Sequence, residues 1–235
     1  MKKLITGLSA LLAVVSCQLL HGQTVDEVVE KNITAMGGSE KLLSLKSVKM
    51  TGSINTEGMD VGVTVTVVNG VGVRNDISVP NMGEGFQITN AEKGWEYMPF
   101  MGQSSPAEDS PDKVKSMQYL LDLPGLLVNY KEKGHQVELL GKEKVDSADC
   151  YKLKITTKSG NVSTQFIDVN TGYRVKSITQ SVTAEGVEDM ETKYGNFRKT
   201  SDGYMFPFSQ TIARGTIEYS SIETNIPVEE KIFTN

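Results

Sequence analysis

The sequence contains few of the residues on which most enzyme active sites depend. Its 235 residues include two histidines, two cysteines and one tryptophan, and the motifs H-E-x-x-H, C-x-x-C and G-x-S-x-G do not occur. His21 lies in an apolar N-terminal stretch, so His135 is the only base left for a Ser-His-Asp arrangement, and no serine is marked as its partner. Cys150 has no basic or histidine partner in the pattern, so we interpret it as a small strand residue. We predict a protein with no catalytic residues, no metal site and no cofactor.

An excess of positive charge is also missing. The formal net charge is −5, and an acidic surface disfavours binding to nucleic acid and to anionic lipid headgroups. After residue 22 no segment approaches the roughly 20 apolar residues that a membrane-spanning helix requires. We therefore predict a mature chain that is soluble or merely anchored, that binds no nucleic acid and that is a monomer.

The first 22 residues have the composition of an export signal. A short charged start is followed by the apolar run Leu4–Val15. Two cleavage positions are compatible with this pattern. Cleavage before Cys17 would leave a lipid-anchored protein, whereas cleavage near Gly22 would release a free one. In either case we expect an exported protein, in the periplasm or anchored in the cell envelope, with residues 23–235 forming one domain.

Alternation of apolar and polar residues is the clearest pattern in the rest of the chain. In the segment 59–67 every second residue is apolar, and the residues between are small or polar. A period of two is typical of an antiparallel sheet with one buried face. Similar segments recur without strand-helix-strand alternation, which predicts an α+β fold, mainly antiparallel β, with a curved sheet of about 11 strands. The alternation of apolar and polar residues shifts by one position near Ser177, Gly195 and Ser220, which predicts bulges where this sheet bends.

Two segments interrupt the strand pattern. Thr24–Met36 has apolar residues at helical spacing and Thr24 as its N-cap, so it predicts an N-terminal amphipathic helix. The second segment, Met98–Tyr130, is called the insert below. It combines a polar loop, a short helix capped by Ser110 and terminated at Pro124-Gly125, and strongly apolar flanks. We predict that residues from about 100 to 130 form a helical lid over the apolar face of the sheet.

Apolar residues grouped around the insert are the best candidates for a ligand site, because clefts of curved sheets often bind ligands. Met-rich surfaces also adapt to varied partners. For any one of these residues the alternative is a place in the core. Arg74, in the middle of a strand, is either a solvated arginine or a rim group that hydrogen-bonds insert carbonyls or a ligand ester. The candidate ligand-binding residues are Arg74, Trp95, Tyr97, Met98, Phe100, Met101, Met117, Leu120, Leu121, Leu126 and Leu127.

Several stretches resemble the outer-membrane lipoprotein-sorting protein-like family. They are Leu42–Gly52, after a helix and Gly37-Gly38, together with Gly94-Trp95, Asp149–Leu153 and Asp202–Pro207. The resemblance extends from about Thr24 to Phe233, and its motifs specify strands and turns more than activity. It implies the LolA/LolB-like fold, a half-barrel whose concave apolar side is closed by helices. In that family the cavity takes lipoprotein acyl chains and a strand arginine helps to hold the lid, for which Arg74 is the plausible counterpart.

The sequence as a whole predicts a carrier or binding protein for lipid or lipoprotein acyl chains, without a chemical step. The alternative is an interaction module of the cell envelope, whose apolar insert binds a partner protein instead of a lipid. Fold alone does not choose between the two, because one fold supports many functions.

Overall fold

The structure, a computed structural model, describes residues 23–56, 58–183 and 186–235. The predicted export signal, with both of its cleavage positions, lies outside these residues. In the described part of the chain, no helix has the length and apolar character needed to cross a membrane.

All strands of the described residues belong to one antiparallel sheet, with the order β6-β5-β4-β3-β2-β1-β13-β12-β11-β10-β9-β8-β7. The predicted fold class is confirmed, with thirteen strands instead of about eleven. One strand that the alternation does not reveal is β6, which has two residues and lies inside the insert. The strands are β1 (Ser47–Thr56), β2 (Met59–Val68), β3 (Gly72–Val79), β4 (Gly83–Asn90), β5 (Gly94–Tyr97), β6 (Ala107–Glu108), β7 (Gln136–Val145), β8 (Ala148–Thr156), β9 (Val162–Asp168), β10 (Arg174–Thr183), β11 (Gly186–Lys199), β12 (Met205–Ile212) and β13 (Gly215–Thr224).

The N-terminal helix α1 (Val25–Ala35) begins where the sequence predicts. Thr24 and Glu27 form a reciprocal capping box, in which each side chain accepts a hydrogen bond from the other residue's backbone N–H. A second short helix, α2 (Ser39–Leu43), follows after Gly37-Gly38. The buried residues of α1 then pack on β8 and β9.

The insert contains little regular structure. Its helix α3 (Pro111–Met117) is capped by Ser110, whose hydroxyl accepts a hydrogen bond from the Lys113 N–H. Short 3₁₀ helices at Pro99–Met101 and Gln118–Leu121 lie on either side. A third one, Glu230–Phe233, belongs to the C-terminal segment.

The contacts of α3 show that the sheet is strongly curled. This helix packs against both β4 and β10, which are separated by six strands in the sheet order. In a flat sheet with ~4.8 Å between strands, β4 and β10 would lie ~34 Å apart, whereas a helix is only ~10 Å wide. The face that carries α3 is therefore concave. It is called the concave face below, and the opposite one the convex face.

Candidate ligand-binding surface

Strand register assigns each side chain to one of the two faces, because directly opposed residues of antiparallel strands point the same way. Val67 pairs with Val73, and both contact Leu121 of the insert, so they lie on the concave face. The next pair along, Thr66 and Arg74, points to the convex face.

The concave face is apolar over β1–β3, β12 and β13, and this region is called the insert section. Leu121 is buried there against Val67 and Val73, and Leu120 packs beside it. Leu123 lies against both this group and a second cluster on the central strands. That second cluster contains Leu45, Val48, Tyr204, Phe208, Tyr219 and Ile222, with Met50, Val65, Phe206 and Ile217 partly buried at its edge.

A second apolar region, over β7–β9, is covered by α1 and is called the α1 section. Its strand residues Leu153, Ile155 and Ile167 are fully buried. Val28, Val29 and Ile33 of α1 pack on them together with Leu126, Leu127 and Val128 from the end of the insert. Hydrogen bonds fasten the helix as well, since the Asn32 amide donates to the Gly172 carbonyl at 2.8 Å and Lys31 Nζ donates to the Val169 carbonyl.

A band of buried polar residues on β9–β11 separates the two apolar regions, and we call it the polar stripe. It consists of Ser163, Gln165, Ser177, Thr179 and Tyr194. The first four are at least nine-tenths buried, and register places them on the concave face, with Ser177 opposite Gln165 and Thr179 opposite Ser163. Ser177 Oγ and the Tyr194 hydroxyl lie 2.9 Å apart, within hydrogen-bonding distance.

Tyr119 of the insert covers the polar stripe in this structure. Its hydroxyl lies beside the Thr179 side chain, near Tyr194 and Arg174. Burial raises the pKa of Tyr119, and Tyr194 adds to that rise. Burial likewise raises the pKa of Tyr219, to about 12. The phenols of Tyr119 and Tyr219 therefore stay neutral at physiological pH. They provide hydrogen-bonding groups on a largely apolar concave face.

Seven of the predicted site residues lie with the insert on the concave side. Met98 and Phe100 approach the concave side of β4 at Gly85, and the sulfur of Met117 accepts a weak hydrogen bond from Thr89. Leu120 and Leu121 belong to the insert section, whereas Leu126 and Leu127 pack under α1. Met101 is different, because it is 66% exposed.

Arg74, Trp95 and Tyr97 lie on the convex face, away from the other candidates. Register pairs Arg74 with Ile88, Ile88 with Trp95, and Phe86 with Tyr97, all on that face. Arg74 Nε donates to Asp76 at 2.7 Å and Nη1 donates to the Ile232 carbonyl at 3.1 Å. Arg74 therefore holds the C-terminal segment. The alternative in which it hydrogen-bonds insert carbonyls is wrong, because Arg74 points to the opposite face of the sheet from the insert.

The insert is attached to the rest of the molecule by the pairing of β6 with β5 and by polar contacts, several of them at the 3₁₀ helix Gln118–Leu121 and at α3. The Leu121 carbonyl accepts from the Gly70 N–H at 2.8 Å, and Asn69 Oδ1 accepts from the Leu123 N–H at 3.0 Å. The Gln118 amide donates to the Asn90 carbonyl at 3.0 Å. On the opposite wall, the Asn161 amide donates to the carbonyl of Lys115 at 2.8 Å.

The insert fills the space over its section, since its own leucines occupy the concave apolar surface. Two surface depressions lie elsewhere. One of about 650 Å³ runs along the exposed side of α1, and one of about 540 Å³ lies beside the C-terminal segment. Neither is lined by the concave residues of the insert section, so a ligand would reach that surface only if the insert moved.

The remaining chemical candidates have structural surroundings. Cys150 is fully buried beside Val145 and Phe166, and burial raises the pKa of its thiol. His135 accepts a hydrogen bond from the Lys158 N–H through Nδ1, and burial lowers its pKa. Within residues 23–56, 58–183 and 186–235, no group of three or more His, Cys, Asp or Glu side chains is placed to hold a metal ion.

Comparison with known proteins identifies the fold. The structure is similar to that of a LolA superfamily protein from Nitrosomonas europaea, with a TM-score of 0.55 and 18% identity over 91% of this chain and 99% of that one. It is also similar to a DUF1329 family protein from Desulfovibrio piger, with a TM-score of 0.56 and 15% identity over 91% and 98% of the two chains. An outer-membrane lipoprotein-sorting protein domain from Vibrio parahaemolyticus gives a TM-score of 0.53 and 15% identity over 88% and 94%.

These likenesses confirm the predicted LolA-like architecture. No protein-family model and no curated protein matches the sequence. At identities below one fifth, what the chain shares with these proteins is its fold.

Proposed function

We propose that this chain, with its LolA-like half-barrel, is an exported, non-catalytic binding protein for the acyl chains of lipids or lipoproteins. The observation that carries the proposal is the insert section, where an apolar concave surface is covered by a segment with little regular structure. Displacing residues 118–123 of the insert would uncover Val65, Val67 and Val73, while the pairing of β6 with β5 can stay in place.

The energetics permit such an exchange. Burial contributes ~0.8 kcal/mol per CH₂, so a partly enclosed chain of about fourteen carbons would gain ~6–10 kcal/mol before entropic costs. The insert leucines lose their burial when the insert opens, and the acyl chain restores apolar contacts to the same surface. Binding therefore depends on the free energy of opening the insert, to which its polar contacts contribute.

The border contacts provide a direct test. Replacing Asn69 and Gln118 with alanine removes the acceptor for the Leu123 N–H and the donor to the Asn90 carbonyl. We expect the association rate of a fluorescent fatty-acyl probe, measured by stopped flow, to rise several-fold, because the open state becomes more populated. Asn55→Ala, which removes an exposed contact to Asp60 in the β1–β2 hairpin, is the matched control and should leave the rate unchanged.

Native mass spectrometry of protein purified without detergent gives a second readout. Co-purified lipid, or stoichiometric uptake of the probe, would support the proposal. A protein that is always empty and ignores fatty-acyl probes, in the wild type and in the loosened variant alike, would contradict it.

The interaction-module alternative requires apolar insert residues that a partner can reach. Leu121, Leu126 and Leu127 are each at least nine-tenths buried within the chain, so a partner protein, like a lipid, would reach them only after the insert moved. Met101 remains exposed. If Met101→Asp abolished capture of an envelope protein while acyl-probe binding stayed unchanged, the module would replace the carrier.

A further inference from the structure

The polar stripe is a feature that acyl-chain binding alone does not require. Burying hydroxyl and amide groups costs free energy unless they are hydrogen-bonded. A surface that bound only hydrocarbon would be better built from valine and leucine, as the insert section is. In the described residues every fully buried polar side-chain atom has a hydrogen-bond partner within the chain, and the stripe places hydroxyl groups beside the apolar insert section, where the polar end of a ligand could exchange with them.

One cation lies beside this stripe. Arg174 begins β10, and its pairing with Ile167, a residue buried under α1, places it on the concave face. Its guanidinium carbon lies 4.5 Å from the centroid of the Tyr194 ring, whose hydroxyl reaches Ser177. Among the described residues no carboxylate forms a salt bridge with Arg174, so its charge is free for an anionic group.

Arg74, on the convex face, provides a comparison for this position. Arg74 also lies over an aromatic ring, at 4.8 Å from the Phe86 centroid, but its Nε is bound to Asp76 and its Nη1 to Ile232. The two arginines thus make the same kind of cation–π contact on opposite faces. Arg74 is already paired with the Asp76 carboxylate, whereas Arg174 is not paired with a described carboxylate.

We propose that Arg174, Tyr194 and Ser177 form a head-group subsite for the carboxylate of a long-chain fatty acid. The hydrocarbon extends from this subsite across the insert section. The guanidinium presents paired N–H donors to the two carboxylate oxygens, and the neighbouring hydroxyls donate to the same group. Arg174 is only partly buried, so the ion pair keeps some of its hydration.

Tyr119 connects the subsite with the insert. It belongs to the same 3₁₀ helix as Leu120 and Leu121, so an insert that moves away withdraws the leucines from the apolar surface and the phenol from the polar stripe together. The vacated space then has an apolar region and a polar region joined in one channel. This arrangement matches an amphiphile, which has an apolar chain and a polar end. The inference rests on the proposed acyl-chain function.

The test compares a charged ligand with a neutral one. Isothermal titration of the wild-type protein with myristate and with monomyristoylglycerol should show tighter binding of myristate. In Arg174→Gln we expect the affinity for myristate to fall at least about tenfold, as for the loss of a charged hydrogen-bonded pair, with little change for the neutral ligand. Arg74→Gln is the matched control and should change neither affinity.

Each other outcome has a defined meaning. Equal binding of both ligands, unaffected by Arg174→Gln, would overturn the subsite and leave the acyl-chain function standing. Equal losses in the two arginine variants would also overturn it, since they would report a general charge effect. If the wild type bound neither ligand, the proposed function itself would fail. Tyr194→Phe keeps the ring under the guanidinium and removes the hydroxyl, so it should lower myristate affinity several-fold even if Arg174→Gln does not fold.

Discussion

The two apolar sections of the concave face are similar in composition but differ in how they are covered. The α1 section is closed by a capped helix whose Asn32 and Lys31 side chains bind backbone carbonyls of the β9–β10 turn. The insert section is closed by short 3₁₀ and helical turns, held at their borders. One cover is part of the folded core, and the other is the segment that we propose to open. The comparison shows two ways in which the same sheet face is covered.

Two equivalent leucines provide the strongest test of this contrast. Leu127 in the α1 section and Leu121 in the insert section are 4% and 7% exposed. Leu127→Ala should lower the free energy of unfolding by ~2–5 kcal/mol, because it leaves a cavity in the core. Leu121→Ala should cost less, because its loss is limited to the free energy of opening the insert. Urea denaturation measures both, and equal losses would show that the insert unfolds only with the whole molecule.

A smaller effect is expected from the polar attachment of α1. Asn32→Ala removes the donor to the buried Gly172 carbonyl, and an unsatisfied buried acceptor costs ~1–3 kcal/mol. Thr34→Ala, on the exposed side of the same helix, should cost little and controls for helix propensity. Hydrogen exchange should show faster opening of α1 in Asn32→Ala, together with the insert residues that pack under it, but unchanged exchange in α3. A spread of the effect to α3 would contradict the independence of the two covers.

The smallest predicted effect is a pH dependence at Asp168, in the turn that α1 contacts. Burial acts to raise the pKa of Asp168, but hydrogen bonds from Thr171 and Asn170 outweigh it and the net pKa is lowered. A carboxyl with a depressed pKa stabilises the fold fully above its ordinary value of 3.8, and this contribution is lost as the pH falls through the folded value. Asp168→Asn should therefore flatten the acid limb of a stability–pH curve, and an unchanged acid limb would refute this assignment.

The attachment of α3 should depend on pH at the alkaline end of the scale. Burial acts to lower the pKa of Lys113, but its hydrogen bond to Asp109 and the nearby charge of Glu96 outweigh this and raise it. The stabilising charge is complete below the ordinary value of 10.5 and is lost as the pH rises through the folded value. At these two groups, acid weakens the Asp168 turn, whereas strong alkali weakens the attachment of α3 through Lys113.

Much of the architecture could be predicted from alternation and capping, because these are local signals. Thr24 and Ser110 cap helices as expected. The register of β1 and β13 shifts between Thr51 and Gly52, opposite the predicted bulge at Ser220. A Cβ on Gly52 would collide with the Glu218 carbonyl, so the close approach of β13 requires glycine there.

The faces of the outer strands could not be predicted in the same way. In β9 the hydrophobic pattern favours Phe166 as the inward residue, but register places Gln165 on the concave face and buries Phe166 in a separate convex cluster. Both sides of this strand are buried, so polarity no longer indicates direction. The same ambiguity left Arg174 and Tyr194 unnoticed. The signal available in the sequence was Gln165, a polar residue on the same side of β9 as Ile167.

The bridging position of α3 has a mechanical consequence. Because this helix touches both β4 and β10, it acts as a spacer that sets how far apart the two walls of the curled sheet stand. The opening that we propose is then more than a local swing of one loop, since withdrawing the spacer also frees the walls to spread. Small-angle scattering should detect this as a wider particle in the ligand-filled state than in the empty one.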